Sequence, residues 1–280
     1  MTASWTSAET RGASATADQG AKATNAIAWL RFAAKKSIGV AGIAVLVVVW
    51  WIATDVLAQP GGFLRHFSPI EAVASFIQLA SHSDLSIHVL VSLRRVLVGL
   101  GLALLIGVPL GLAVGTSSLL NAATSPAFQF LRMISPLSWM PLAVMVFGVG
   151  DRPIYFLLTF AAIWPILLNT AEGVRRLQPS WLSLAASLSA TRWETLRHIV
   201  VPGILAHVLT GLRLAIGIVW IVLVPCEMLG VSAGLGYFIL DTRDRLAYSE
   251  LTATVLMIGI LGFLLDAAAR GLYRLATRAH

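Results

Sequence analysis

The chain has 280 residues, of which 58% are hydrophobic and only 12% are charged. Soluble domains carry about 25% charged residues, and a soluble surface of this size needs more polar groups than these, so the composition is that of an integral membrane protein. The formal net charge is +7, and 17 of the 20 basic residues are arginine. They form no single stripe with interleaved aromatics, which argues against nucleic acid as a partner; in a membrane protein such an excess reports orientation. One cysteine, Cys226, leaves no internal disulfide. It sits in an apolar run and reads as an inert packing residue.

Residues 1–28 are rich in Ala, Ser and Thr and lack periodicity. Such a segment cannot bury enough apolar surface to order itself, and without a basic start ahead of an apolar run it is not a secretory signal. Residues 1–30 are therefore expected to be a disordered cytoplasmic tail, ahead of a transmembrane domain over 31–280. Ser37–Thr54 and Met133–Gly150 are charge-free runs of 18 residues, and Pro153–Ala171 is one of 19. Each approaches the roughly 20 residues that cross a bilayer as helix. Val96–Leu131 runs 36 residues without charge, too long for one crossing, and the turn residues in GTSSLLNAATSP (115–126) divide it. The expectation is an all-α protein with about six spans, near 37–58, 92–115, 126–148, 154–172, 205–229 and 251–274.

With the N-terminus cytoplasmic, Arg31, Lys35, Lys36, Arg132, Arg175, Arg176, Arg192, Arg197, Arg270, Arg274 and Arg278 fall inside, and Arg65, Arg94, Arg95, Arg152, Arg243 and Arg245 outside. That bias places both termini in the cytoplasm, although Arg94–Arg95 runs against it. In the outer loop 59–91, SPIEAVASFIQLA predicts a short surface helix with Ser68 as cap, Pro69 first and Glu71 third. Gly107, Gly111 and Gly115 recur every four residues in the second span, a stripe that lets a neighbouring helix approach closely. Pro109 should kink that span. RMISPLSWMPL (132–142) carries two prolines and predicts irregular backbone, tolerated at membrane depth only against protein or a water-lined cavity.

Residues 173–203 form the longest cytoplasmic loop in this topology. Pro179-Ser180 opens it, with Ser180 a good N-cap; Trp181, Leu184, Ala185 and Leu188 then share one helical face. Ser189-Ala190-Thr191 interrupts. Thr191 and Glu194 have capping-box spacing ahead of Leu196, Ile199 and Val200, and Pro202-Gly203 closes the loop and launches the fifth span. Two short amphipathic helices in water need something to cover their apolar face.

This stretch resembles the loop of ABC importer permeases whose pattern runs E-A-A-x-x-x-G, with a proline 13 residues beyond the glycine. Ser183, Leu184, Ala185, Ser189 and Pro202 fall on those positions. The spacing is kept, while the signature Glu and Gly are absent. SPLSWMPLAVMVFGVGD (135–151), IWPILLNTAEGVRRL (163–177), TGLRLAIGIVWIVLVPCEML (210–229) and GLGYFILDTRD (234–244) extend the resemblance over roughly 60–275. They are similar to the nitrate, taurine and aliphatic sulfonate branch, which also departs from that Glu and Gly. The resemblance implies a bacterial inner-membrane permease, as a homodimer with cytoplasmic ATPase subunits and an external solute-binding protein. It implies a loop, built of Ser183, Leu184, Ala185, Leu188, Ser189, Ala190, Thr191, Trp193 and Pro202, that seats in the ATPase. The cargo it implies is a small oxyanion: nitrate, taurine or another sulfonate.

There is no G-x-x-x-x-G-K-[ST], and the three lysines, Lys22, Lys35 and Lys36, follow no glycine-rich turn. ATP and Mg are thus expected on the partner ATPase, with no cofactor in this chain. The histidines, His66, His82, His88, His198, His207 and His280, show no metal-ligand spacing, and no catalytic set is evident. Arg213 and Asp266 lie inside spans at similar depth, where charge is costly, and either pair or snorkel separately. Glu227, just after Pro225, can bond a broken helix or line an outer gate. Trp139, Trp164, Asn169, Thr170 and Trp220 offer groups that can donate to an oxyanion in a pathway, or serve as interface aromatics and helix ties. An ion-coupled secondary transporter would want inverted repeats and more mid-membrane acids, and a membrane enzyme acting on lipid would need a catalytic cluster at one interface.

Overall fold

The structure, a computed structural model, describes residues 41–57, 62–81 and 83–278. The expected N-terminal tail, and with it Arg31, Lys35 and Lys36, lies outside them, as do His82 and His280. Every regular element among the described residues is helical. The described residues divide into two compact units, the first ending at Ile70 and the second beginning at Glu71.

In the first unit, α1 (Ala41–Val56) is apolar but short, and its last turn widens into a π-helix over Ile52–Val56. Trp50 Nε1 donates to the Phe67 carbonyl at 3.0 Å. Ser68 donates to Asp55 Oδ1 at 3.1 Å and accepts from the Ile70 N–H at 3.2 Å. Ser68 thereby caps α2 (Pro69–Ser81), as the sequence predicts.

The second unit is organised by three long helices. α3 spans Ser83–Thr116, α6 spans Asp151–Arg175, and α8 runs without interruption over Arg192–Glu227. Their facing sides build the main core, with Val96, Leu100 and Ala103 of α3, Leu157, Leu158 and Ala162 of α6, and Ala215, Val219 and Leu223 of α8. The glycine stripe lies in this contact. A Cβ at Gly107 would sit 3.1 Å from Ile166, one at Gly111 2.6 Å from Thr170 and one at Gly115 2.7 Å from Val174. Only a missing side chain allows the α3 and α6 backbones so close, and in lipid that proximity supplies the dispersion contact that holds helices together.

Two expected boundaries move. α3 begins at Ser83, well before 92, and continues to Thr116. The turn expected over 115–126 contracts to Ser117, whose Oγ accepts from the Leu120 N–H at 3.2 Å. Beyond this cap, Leu119, Leu120, Ala122 and Ala123 favour helix, and α4 spans Ser118–Met133. The span expected at 126–148 is instead a broken pair: α4 and the segment Pro136–Phe147 meet at 85°. The cause is Pro136, which excludes helical backbone at the residue before it. Ser135 has ψ 129° and a 3₁₀ turn over Pro136–Trp139 follows before α5 (Met140–Phe147), which ends at Gly148 with φ 78°. α7 (Pro179–Ser187), α9 (Leu235–Asp244) and α10 (Tyr248–Arg278) complete the unit. Among the described residues, four helices are long and apolar enough to cross a bilayer, five with the bent pair counted as one. The first of the six expected spans is described only from residue 41.

Candidate functional site

The polar stretch between α6 and α8 folds into a knob. α7 is capped at Gln178 with Pro179 at its first position, so Ser180 lies inside the helix and is not its cap. Proline's fixed φ and missing N–H suit that first position. Of the expected apolar face, only Ala185 is buried; Trp181 is 52% exposed, Leu184 61% and Leu188 73%. Ser189 turns the chain with φ 54°, a left-handed conformation that glycine adopts without strain. This is the position at which the permease pattern has its glycine. The Ala190 N–H then donates to the Ala185 carbonyl at 3.0 Å. Thr191 and Glu194 form the capping box: the Thr191 N–H donates to Glu194 Oε2 at 2.7 Å, and the Glu194 N–H to Thr191 Oγ1 at 3.3 Å.

From Thr191 onward the structure departs from the two-helix reading. Pro202-Gly203 starts nothing new, because the capped turn Arg192–Thr195 is already the first turn of α8. The helix passes Pro202 by widening to a π turn over Leu196–Val200, which accommodates a ring that removes an N–H and crowds the carbonyl four residues back. Gly203 serves packing, since a Cβ there would lie 2.5 Å from Leu177 Cδ2. The knob is thus fused to a helix that runs to Glu227. Trp193 on its first turn is 67% exposed.

At the far end of that helix lies a buried polar cluster. Arg95, on α3, is 2% exposed and Glu227 is 0% exposed. Arg95 NH1 contacts Glu227 Oε1 at 2.7 Å, and its Nε and NH2 donate to Asp151 Oδ1 at 2.9 and 2.6 Å. Arg94 pairs with the other oxygen of Asp151. Ser92 Oγ donates to Glu227 at 2.8 Å and accepts from the Leu235 N–H at 2.8 Å, while the Gly236 N–H donates to Glu227 Oε2 at 3.0 Å. Each charge is paired and hydrogen-bonded, the condition for ions to survive burial. Glu227 therefore ties the start of α9 to α3. The Arg94–Arg95 pair, anomalous in the charge bias, belongs to this cluster. The sequence carried a signal for it: two arginines and a glutamate bordering apolar runs.

The aromatic and amide candidates separate. Trp220 donates to the Ile258 carbonyl at 3.1 Å and packs on Gly262, where a Cβ would lie 2.6 Å from its Nε1; it is a tie between α8 and α10, with its N–H spent. Thr170 is buried and donates to the Ile166 carbonyl at 2.7 Å. Trp139 lies against the core, its ring 5.6 Å from that of Phe160. Trp164 and Asn169 share a cavity of about 330 Å³ with Arg132, Pro136, Leu214 and Ile218, beside the α4–α5 break. Arg213 Nε donates to Asp266 Oδ1 at 3.2 Å, so the structure brings these two together, and Arg270 pairs with the same carboxylate. Among the described residues, no group of His, Cys, Asp and Glu is arranged to hold a metal ion. Cys226 is a free, buried thiol.

Residues 104–279 match the family described as the binding-protein-dependent transport system inner membrane component. The bicarbonate transport system permease protein CmpB of Synechococcus elongatus is 40% identical over 62% of this chain, and the match spans 63% of that relative. The nitrate import permease protein NrtB of Synechocystis is 33% identical over 80% of this chain and 83% of its own length. The taurine transport system permease protein TauC of Escherichia coli is 31% identical over 87% and 90%. Among solved structures, an inward-facing conformation of the MetNI methionine ABC transporter superposes with TM-score 0.57 at 17% identity, over 66% of this chain and 92% of that one; this likeness concerns the fold. The chain belongs to the family of inner-membrane components of binding-protein-dependent transport systems.

Proposed function

We propose that this chain is the permease subunit of an ATP-driven importer in the bacterial inner membrane. It works as a pair of copies, with both termini and the knob in the cytoplasm, two ABC ATPase subunits against the knobs and a solute-binding protein on the other face. ATP and Mg belong to the ATPase, since this sequence has no phosphate-cradling loop. The observation that carries the reading is the knob itself: Trp181, Leu184, Leu188 and Trp193 exposed on backbone fixed by its own capping box. Exposed apolar side chains on a rigid support fit a partner's cleft. Because α8 continues from knob to membrane interior without a joint, displacement of the knob moves the helix as one body.

The cargo is a small oxyanion such as nitrate, taurine or another sulfonate. The names of the relatives support this class and add bicarbonate, an oxyanion the sequence reading did not include. The test is co-purification with the ABC ATPase subunit of the same system. Leu188→Glu and Trp193→Glu are expected to abolish capture while leaving the elution profile of the permease unchanged. Uptake driven by the chain alone, or labelling of Ser189→Cys from the external face of intact cells, would overturn the reading.

A further inference from the structure

The cavity of about 330 Å³ lies where the α4–α5 break, α6 and α8 meet. Its wall combines donors without a matching acceptor charge. Arg132 comes from the last turn of α4 and makes no ion pair among the described residues. The Trp164 N–H is buried and has no hydrogen-bond partner, while rings of Phe128 and Phe160, at 5.8 and 5.5 Å, hold its indole. Asn169 gives one amide hydrogen to the Pro165 carbonyl at 2.8 Å, and a primary amide has a second. No Asp or Glu lines the cavity, and Leu214 and Ile218 close it from α8.

A second cavity, of about 820 Å³, also holds arginines, Arg94, Arg95 and Arg152, but Asp151 already occupies Arg94 and Arg95. Of these two cavities among the described residues, the smaller leaves a guanidinium and an indole N–H unspent together. Trp139 Nε1 and His207 Nδ1 are also buried without a partner, but neither residue lines this cavity; at Trp164 the guanidinium in the same wall and the lack of a lining carboxylate make an anion the complement that fits. Irregular backbone at the α4–α5 break is also tolerated where it borders a cavity.

We propose that this cavity is an anion way-station within the permease, taking a small oxyanion on the Arg132 guanidinium, the Trp164 N–H and the free hydrogen of the Asn169 amide. The role in transport rests on the importer reading above; binding does not. The donor set also selects among the cargoes. With no carboxylate to receive an ammonium group, the site prefers a plain anion such as nitrate, bicarbonate or an alkyl sulfonate to the zwitterion taurine, which narrows the cargo class proposed above. The permease then adds a charge filter of its own to whatever the external binding protein selects.

The experiment uses the full chain purified in detergent, with no ATPase or binding protein, and follows its melting temperature at constant ionic strength. The titrants are sodium nitrate, sodium propanesulfonate and taurine. Nitrate and propanesulfonate should stabilise the protein saturably, and taurine should not. Arg132→Gln should weaken nitrate about tenfold, the scale of a charge-assisted hydrogen bond, while Arg132→Lys keeps most of the effect. Trp164→Phe, which preserves the ring contacts and removes only the N–H, should weaken it several-fold. Absence of saturable stabilisation, or stabilisation indifferent to both Arg132→Gln and Trp164→Phe, overturns the site. Taurine binding as well as nitrate overturns the selectivity. Loss of ATPase co-purification, by contrast, would sink the importer reading and leave this binding result standing.

Discussion

The two ends of α8 solve opposite problems. At Glu227 the helix buries charge, and every charge there is matched: Arg95, Ser92 and the Gly236 N–H bind the carboxylate, while Asp151 holds the other side of Arg95 and the Leu235 N–H donates to Ser92. At Trp193 the helix exposes apolar surface that nothing among the described residues covers. The first end uses its polar groups to fix α3, α6, α8 and α9 relative to one another. The second uses polar groups only on its own backbone, through Thr191 and Glu194, and leaves its apolar side chains for a partner. A lever needs both: an end that does not yield and an end that can be gripped.

The largest effect should come from breaking the fixed end. Arg95→Met leaves Glu227 buried without its counter-charge, and removal of one partner of a buried pair costs about 3–5 kcal/mol. Glu227→Gln alone should also destabilise, because Arg95 then loses one of two carboxylates. In the double variant part of the loss should return, since no unpaired buried carboxylate remains. Denaturant unfolding of the purified protein gives all three values; simple additivity would show that the two groups act independently. Knob substitutions such as Leu188→Glu should leave the same unfolding curve unmoved, which is the sharpest form of the contrast.

A smaller loss is expected along the α3–α6 seam that joins the two ends. A side chain at Gly111 meets Thr170 Cβ at 2.6 Å and the Leu167 carbonyl oxygen at 2.7 Å, so Gly111→Ala must push two backbones apart, at about 1–3 kcal/mol for overpacking. Gly101 lies on the same helix with open space around it. Gly101→Ala should be neutral or stabilising by about 0.5–1 kcal/mol, the helix-interior penalty of glycine. Equal effects at both positions would mean that the stripe is not a close contact.

What the sequence discloses follows the range of the interaction. The capping box and the α2 cap lie within a turn of their partners, and the stripe glycines recur one turn apart on their own helix, so spacing alone reveals them, although the α6 residues that the stripe meets do not show in it. The bond from Arg95 to Glu227 spans 132 residues and that to Asp151 spans 56, and no local pattern connects such positions. The trace they leave is indirect: Arg94–Arg95 contradicts the charge bias of the loops, and Glu227 interrupts an apolar run. The α4–α5 break lies between. Its two prolines announce irregularity, but hydropathy is blind to direction, and an 85° bend reads as one straight span. Trp220 shows the same limit from the other side, since an indole N–H looks alike in sequence whether it faces a pathway or the Ile258 carbonyl.

The smallest effect sharpens the knob end. Ser189 holds φ 54°, and a residue with a Cβ pays about 1–2 kcal/mol for that left-handed backbone. Serine tolerates it because Thr191 and Glu194 hold the turn on one side and the Ala190-to-Ala185 hydrogen bond on the other. Ser189→Gly removes the strain and restores the residue of the wider permease pattern. It also gives the unfolded chain more freedom, which offsets part of the gain. The net should be a stabilisation of a few tenths to about 1 kcal/mol, read as a small rise in melting temperature with ATPase capture unchanged. A fall would mean that the serine side chain contributes a contact worth more than the strain, and that the turn is held by chemistry beyond its backbone conformation.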